Sequence, residues 1–229
     1  FTILTACRSG EIFGAKWQEI DFKNKVWIIP KERMKADKEH RVPLSQEAIN
    51  LLESIQEYTQ PQDFIFPAPG NGTMLSDMSL TTLIKRMHEQ KLKENGLGYI
   101  DPKQNRVITT HGFRSTFRDW SADKTDYPRE VCEHVLAHKL PDEVEAAYLR
   151  GAYLEKRKGL MADWAEFCCK LLLVFIEKSH NKIARSTTTP PVYLQNILFV
   201  YIDDIVNNYP KLRTEITHKY VHFGSGHKD

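Results

Sequence analysis

The chain has 229 residues, of which 41% are hydrophobic and 27% are charged, so it can form one or two compact domains with a hydrophobic core. Its 32 Lys and Arg residues nearly balance its 30 Asp and Glu residues, and the net charge of +2 does not by itself indicate a nucleic-acid-binding protein. The longest apolar run, residues 171–176, is far shorter than the roughly 20 residues that span a bilayer. We therefore expect a soluble protein and exclude a disordered polymer.

The N-terminal residues and the cysteines indicate the cellular context. The chain begins with Phe1, and nothing near it resembles a signal peptide, so we expect a cytosolic fragment cut at its N-terminal side. The cysteines form neither a Cys-x-x-Cys pair nor a regular framework, so we expect small buried apolar residues and no zinc site or disulfide scaffold. They are Cys7, Cys132, Cys168 and Cys169.

The first sixty residues are predicted to form a helix, a small sheet and a second helix. Helical spacing of apolar residues predicts a helix over residues 1–16, and Ser45 can cap another over residues 46–58. Three antiparallel strands are predicted between them, at residues 20–22, 25–29 and 41–44. Residues 23–41 carry seven basic and three acidic side chains, so this hairpin faces either phosphates or solvent.

The rest of the chain is predicted to be mainly helical. Residues 61–77 and 98–107 are expected to be loops, and Thr109 or Thr110 can cap the helix that begins at His111. Helices are predicted at residues 80–95, 111–123 and 128–138, from Pro141 onward, and at 153–169. Because the composition changes after Lys170, we predict one domain over residues 1–170 and a C-terminal extension over residues 171–229 whose role we cannot derive.

Two arginines, two histidines and a tyrosine form the pattern that indicates chemistry. Arg8 precedes the predicted sheet, His111 and Arg114 lie three residues apart, and His138 and Tyr148 follow. Two guanidinium groups can clamp the non-bridging oxygens of a phosphodiester and stabilise the charge of a pentavalent transition state. A tyrosine can attack phosphorus, while a lysine on a loop can protonate the leaving oxygen. The pattern therefore fits phosphoryl transfer without a metal ion.

Several motifs occur in a defined order along the chain. They are Arg8-Ser9-Gly10-Glu11, Trp17-Gln18-Glu19-Ile20-Asp21, Met34-Lys35, His40-Arg41-Val42-Pro43-Leu44-Ser45, His111-Gly112-Phe113-Arg114, Leu136-Ala137-His138 and Ala146-Ala147-Tyr148. In this order they resemble the tyrosine recombinase (phage integrase) family, particularly integrases of prophages and genomic islands, over residues 1–167. The resemblance implies the α+β fold of the family's catalytic domain, which is mostly helical with a small three-stranded antiparallel sheet.

The resemblance implies roles at the phosphate for two arginines, a glutamate and a lysine. Arg8 and Arg114 would bind the scissile phosphate, and Glu11 would support Arg8 from one helical turn away. Lys35, at the tip between the second and third strands, would be the general acid that protonates the 5′ oxygen. By sequence alone, Glu11 fits an exposed helical residue nearly as well, and Lys35 is one of several hairpin lysines.

The resemblance also assigns the histidines and the nucleophile. His111 would be the general base or position the phosphate, and His138 would hydrogen-bond a non-bridging oxygen. Tyr148 and Tyr153 lie five residues apart and cannot face one phosphate together on a helix. The family's tyrosine follows the second histidine by nine or ten residues, which selects Tyr148, ten residues after His138, and leaves Tyr153 as a packing residue.

The resemblance implies a site-specific DNA recombinase that cleaves and rejoins DNA through a 3′-phosphotyrosyl intermediate during integration or excision of a mobile element. It implies no metal and no cofactor, double-stranded DNA as partner, a homotetramer on paired sites, an N-terminal core-binding domain that this chain lacks, and no membrane contact. The expected location is the bacterial cytoplasm, at the nucleoid. The alternatives are a type IB topoisomerase-like enzyme and a non-catalytic DNA-binding remnant of a degraded mobile element.

One further motif lies in the C-terminal extension. Tyr201-Ile202-Asp203-Asp204 looks like the Tyr-x-Asp-Asp hairpin of reverse transcriptases, in which paired carboxylates hold two metal ions. The extension contains no other polymerase motif, so we favour an apolar helix that carries two solvated aspartates.

Overall fold

The computed structural model describes residues 1–56, 60–96, 98–101, 104–138 and 150–180. The chain divides into two compact units. The first comprises Phe1–Thr82 and Thr109–Ala165, and the second comprises Leu83–Ile108 and the residues from Glu166 onward. The domain boundary at Lys170 stays a prediction. The Tyr201-Ile202-Asp203-Asp204 motif and the helix predicted from Pro141 lie outside the described residues.

The described residues form seven α-helices, two short 3₁₀ helices and five strands. The α-helices are α1 (Thr2–Thr5), α2 (Ser9–Phe13), α3 (Gln46–Ile55), α4 (Ser79–Asn95), α5 (Thr110–Lys124), α6 (Arg129–Val135) and α7 (Arg150–His180). The 3₁₀ helices are Trp17–Glu19 and Lys31–Arg33. The strands are β1 (Ile20–Asp21), β2 (Val26–Ile29), β3 (His40–Pro43), β4 (Ile100–Asp101) and β5 (Arg106–Val107).

The first unit contains the predicted three-stranded antiparallel sheet, in the order β1-β2-β3. Ile20 pairs with Trp27, and Trp27 pairs with Val42, so alternating apolar residues face one side of the sheet. Pro30 follows β2, where its missing N–H cannot continue the ladder. The predicted α+β fold, mainly helical with a small antiparallel sheet, is confirmed.

The predicted helix over residues 1–16 is wrong, because the chain breaks between α1 and α2. Ala6 adopts a left-handed backbone conformation (φ 51°, ψ 25°), and its N–H donates to the carbonyl of Ile3 at the end of α1. Arg8 is then extended (φ −74°, ψ 150°) and caps α2. The break therefore makes Arg8 the N-cap of a new helix, where the sequence predicted a mid-helix residue.

The expected loop at residues 98–107 is also wrong in part. Ile100 pairs with Val107, and Asp101 pairs with Arg106, which forms a two-stranded antiparallel ribbon in the second unit. Near it, the Tyr99 N–H donates to Nδ1 of the buried His88 at 2.9 Å. This pairing was not recognised because a two-residue strand is too short for an alternating pattern to appear.

Aromatic residues of α5 and α7 pack together in the core of the first unit, next to α1. Trp164 of α7 donates its indole N–H to the carbonyl of Ile3 in α1 at 2.8 Å. The ring of Phe117 in α5 meets the Trp164 ring edge-on, with centroids 5.4 Å apart.

All four cysteines are buried thiols, as the sequence predicts. Within the described ranges, no helix is long and apolar enough to cross a membrane.

Candidate active site

Arg8 and Glu11 form a closed pair at the start of α2. The Arg8 N–H donates to Glu11 Oε2 at 2.7 Å, and Arg8 Nη1 donates to Oε1 at 2.9 Å. The Glu11 side chain is only 6% exposed, whereas that of Arg8 is 35% exposed. The carboxylate therefore satisfies an N–H at the helix start and also fixes the guanidinium, which still reaches solvent.

Arg114 is the buried arginine of the site, with 5% exposure. Its Nη1 donates to the carbonyl of Ala6 at 2.5 Å, and its Nη2 donates to the carbonyl of Leu136 at 2.6 Å. These carbonyls end α1 and α6, so one guanidinium joins α5 to two other helices. A guanidinium has five N–H donors, and these bonds use two of them.

The two arginines act on each other through their charges. Burial is the main cause that lowers the pKa of Arg114, repulsion by Arg8 lowers it further, and the Glu11 carboxylate opposes both. Burial raises the pKa of the Cys7 thiol to about 12, so this neighbour carries no charge near pH 7. Two guanidiniums with one carboxylate leave a local excess of positive charge, which favours an anion.

His111 lies in the first turn of α5 and is exposed. Thr109 caps this helix, because its Oγ1 accepts a hydrogen bond from the Gly112 N–H at 3.2 Å. The Ser9 hydroxyl donates to Thr110 Oγ1 at 3.3 Å, which joins the first residues of α5 and α2. His111 follows Thr110 and Arg8 precedes Ser9, so the Ser9–Thr110 hydrogen bond brings these two segments together.

His138 follows α6 after Ala137, which has a left-handed backbone (φ 49°). The exposed imidazole places Nδ1 2.5 Å from Glu133 Oε2, and Arg118 Nε donates to the other carboxylate oxygen at 3.1 Å. Partial burial of the Glu133 carboxyl raises its pKa, but the hydrogen bond with His138 and the charge of Arg118 outweigh this effect and lower the pKa below its usual value. The carboxylate can only accept, so Nδ1 carries the proton.

Lys35 is exposed in the turn between the 3₁₀ helix Lys31–Arg33 and β3. Met34 beside it is 7% exposed and attaches the turn to the core. Lys35 therefore lies at the hairpin tip, as predicted.

The structure joins five of the predicted residues in the first unit by short chains of contacts. Arg8 and Glu11 bond directly, Arg114 bonds the carbonyls two residues before Arg8 and two residues before His138, and His111 adjoins the Ser9–Thr110 contact. Tyr148 lies outside the described residues. The catalytic roles of all these residues stay predictions.

Tyr153, the competing tyrosine, lies in α7 with 9% exposure. Its ring centroid is 6.1 Å from that of His134. The Arg157 guanidinium donates to its carbonyl at 3.4 Å. Tyr153 therefore packs against α6, as expected for a structural residue.

Sequence reasoning missed a buried basic cluster behind the site. His40 is 6% exposed and stacks on His134 at 6.2 Å, and Arg157 Nη1 donates to the carbonyl of Arg41 at 2.7 Å. Burial first, and then the charges of Arg157, His134 and Arg8, lower the pKa of His40 to about 3. The alternation of His40 with the buried Val42 was a usable signal that this imidazole faces inward. No sequence signal indicated that Arg157 is buried, because the carbonyl that it binds lies 116 positions away.

The two held arginines and the two exposed histidines are residue types that can bind a phosphate and stabilise charge on it, and this role stays a prediction. Residues 1–155 match the family model described as "Phage integrase family". The chain belongs to this family.

Several curated proteins are similar to this chain. The prophage integrase IntA of Escherichia coli (strain K12) is 34% identical over 165 residues, which cover 72% of this chain and 36% of that protein. The integrase of Enterobacteria phage P4 is 28% identical over 180 residues, or 72% of this chain and 38% of that protein. The chain thus spans under two fifths of the length of these relatives.

A solved structure of the Tn1549 transposon integrase, in complex with a circular intermediate DNA, is 16% identical with a TM-score of 0.45. The match covers 65% of this chain and 56% of that chain. The family assignment rests on the family model and the sequence relatives.

Proposed function

We propose that this chain carries the catalytic domain of a DNA strand-transferase that performs site-specific recombination during integration or excision of a mobile element. Membership of the phage integrase family and the similarity to prophage integrases support this function. The observation that carries it is the pair of fixed guanidiniums, Arg8 and Arg114, with His111 and His138 on the adjoining helix ends. The substrate is double-stranded DNA in the bacterial cytoplasm, at the nucleoid.

The arginine pair neutralises charge at the scissile phosphate. A phosphodiester carries one negative charge and gains a second in the pentavalent transition state, so donors fixed in advance stabilise that state more than the ground state. The bonds of Arg114 to two carbonyls and of Arg8 to Glu11 hold the guanidiniums in place before DNA binds. Little reorganisation is then needed during the reaction.

The covalent step exchanges one phosphoester for another. The Tyr148 oxygen attacks phosphorus, its proton passes to His111, and the bond from phosphorus to the 5′ oxygen breaks. The 5′ oxygen takes a proton from the Lys35 ammonium and leaves as a hydroxyl, which leaves DNA joined to Tyr148 through a 3′-phosphotyrosyl bond. The 5′ hydroxyl of a partner strand reverses the step, so the reaction needs no ATP.

Assembly on DNA follows the family pattern in this proposal. A homotetramer holds two DNA sites together, and an N-terminal core-binding domain supplies the opposite side of a clamp around each duplex. Strand exchange requires two sites, whereas supercoil relaxation requires one. Recombinant product therefore distinguishes this function from topoisomerase-like relaxation.

The choice of Tyr148 as nucleophile gives the direct test. Tyr148→Phe should abolish a denaturation-resistant protein–DNA adduct, because it removes the attacking oxygen, while Tyr153→Phe should retain it, because that ring is buried against His134. The measurement uses the full-length natural protein and a nicked, end-labelled duplex that carries the junction of the element encoding it. The products are separated on a denaturing gel.

Two results would contradict the proposal. An adduct that survives in Tyr148→Phe but disappears in a folded Tyr153→Phe protein reassigns the nucleophile. DNA binding by the wild-type protein with no adduct on any junction duplex indicates the non-catalytic remnant.

A further inference from the structure

Arg33 connects the hairpin that carries Lys35 to the helix that begins at Arg8. Its side chain is 23% exposed, and its Nη1 donates to the main-chain carbonyl of Glu11 at 3.0 Å. The same Glu11 holds the Arg8 guanidinium with its carboxylate. One glutamate therefore serves the phosphate-binding arginine with its side chain and the hairpin with its backbone.

The other end of the Arg33 fork is fixed by Glu19. Arg33 Nη2 donates to Glu19 Oε2, which also accepts from the Trp27 indole N–H at 2.9 Å and from the Lys16 N–H at 3.3 Å. The Glu19 side chain is 8% exposed and Trp27 is fully buried in the sheet. The guanidinium thus binds a carboxylate that the core already holds rigid, and this arrangement makes its position well defined.

Gly14 provides the space that Arg33 occupies. A Cβ at Gly14 would lie 2.6 Å from Arg33 Nη1, a distance at which the guanidinium must move. The Gly14 backbone has φ −86° and ψ 4°, which an alanine also adopts. A methyl group there would displace Arg33 without removing any charge.

Lys35 is two residues after Arg33 and lies in a turn whose other described backbone bonds are local. These run from the N–H groups of Arg33, Met34 and Asp37 to carbonyls three residues earlier. Such bonds shape the turn, but they do not set its distance from α2. The buried Met34 attaches the turn to the core, and the Arg33 bond to the Glu11 carbonyl is the contact that reaches α2.

We infer that Arg33 is a positioning residue that holds the Lys35 ammonium at the leaving 5′ oxygen. The inference rests on the proposed function, in which Lys35 is the general acid. A lysine cannot span Glu11 and Glu19 as the planar fork does, so Arg33→Lys loses the positioning while keeping the charge. A misplacement of about 1 Å can slow a catalysed step about 10²-fold.

The test compares two leaving groups at the cleavage position mapped from the wild-type adduct. Arg33→Lys and Gly14→Ala should each slow cleavage of the ordinary phosphodiester, about 10²-fold for Arg33→Lys. Both should cleave a substrate with sulfur at the 5′ bridging position at nearly the wild-type rate, because a thiolate leaves without a proton. Lys35→Ala should show the same rescue, with a larger defect of roughly 10²–10⁴-fold on the oxygen substrate.

The control is Arg41→Gln, which removes a charge from the same hairpin. The Arg41 side chain is 57% exposed and pairs with Glu39, so the ratio of sulfur to oxygen rates should stay at the wild-type value. All rates are single-turnover values for the full-length protein at saturating DNA.

The outcomes separate the positioning role from a general structural role. Equal slowing on both substrates, or no slowing on either, overturns the inference and leaves Arg33 as a fold or phosphate contact. If Arg33→Lys does not fold, Gly14→Ala decides alone, since it alters only the position of the guanidinium. A wild-type protein that forms no adduct on either substrate refutes the proposed function and the inference together. This result differs from rescue by the sulfur substrate and from equal slowing on both substrates.

Discussion

The Arg114 side chain both stabilises the fold and contributes charge to the candidate site. Its guanidinium bonds the carbonyls that end α1 and α6, and it lies close enough to Arg8 for each charge to act on the other. Unsatisfied buried carbonyls would destabilise the helix ends, so the fold and the proposed phosphate contact depend on the same group.

Arg114→Lys should slow formation of the covalent adduct by about 10²–10³-fold, the range typical for losing one fixed transition-state donor. A single ammonium cannot reproduce two parallel donors at Ala6 and Leu136, so we also expect a lower free energy of unfolding. Single-turnover cleavage at saturating DNA, with folding checked by urea titration, measures both effects. The exposed Arg86 gives the matched control, since Arg86→Lys should change neither value; adduct formation by Arg114→Lys at the wild-type rate would refute this role.

At the scale of elements, side-chain caps determine where helices begin, including α5 of the candidate site. Ser45 accepts from the Ala48 N–H at 3.2 Å at the start of α3, and Thr109 does the same for α5. Helix α5 carries both His111 and Arg114, so the direction of its first turn matters to the site.

Thr109→Ala should lower the free energy of unfolding by about 1 kcal/mol, because the Gly112 N–H loses its side-chain acceptor. Thr109→Ser keeps a hydroxyl and should stay close to the wild type. Urea unfolding followed by circular dichroism gives both values. Equal losses in the alanine and serine variants would mean that the hydroxyl does not cap α5.

At the scale of the first unit, His40 lies where β3, α6 and α7 meet. The charged and titratable groups that act on it are Arg157, His134 and Arg8, and burial is the largest cause of its low pKa. The folded protein holds this imidazole neutral down to a pH of about 3, whereas an unfolded chain protonates it below about 6.5. Folding therefore opposes protonation throughout this interval.

Acid should destabilise the protein through His40. As the pH falls from about 6.5 towards 3, this group should remove up to about 1.4 kcal/mol of unfolding free energy per pH unit, and above 6.5 it should have no effect. Urea titrations between pH 7.5 and 4.5 should show a shallower decline for His40→Gln than for the wild type. His111→Gln, at an exposed histidine, should retain the wild-type decline; parallel curves for His40→Gln and wild type would contradict the prediction.

Much of the fold and several local contacts of the site were predictable from short sequence patterns. The sheet followed from short apolar runs separated by a turn and ended by Pro30, and the contact of Glu11 with Arg8 was implied by the family resemblance together with their spacing of three residues. The break at Ala6 was not predictable, because nothing in its neighbours requires a left-handed backbone at an alanine. That backbone orients the carbonyl that Arg114 binds, so its cause lies far along the chain.

The sequence alone determined the family, the order of the motifs and the type of fold, because these depend on residue types and on spacings of a few residues. Tertiary structure alone decided that Arg114 is buried between two helix ends, that Arg33 holds the Lys35 hairpin against Glu11, and that His40 stays neutral in the core. The Arg114 and Ala6 groups that bond are 108 positions apart, and those of Arg33 and Glu11 are 22 apart. Burial and hydrogen-bond partners depend on which distant segments pack together, and no local spacing contains that information.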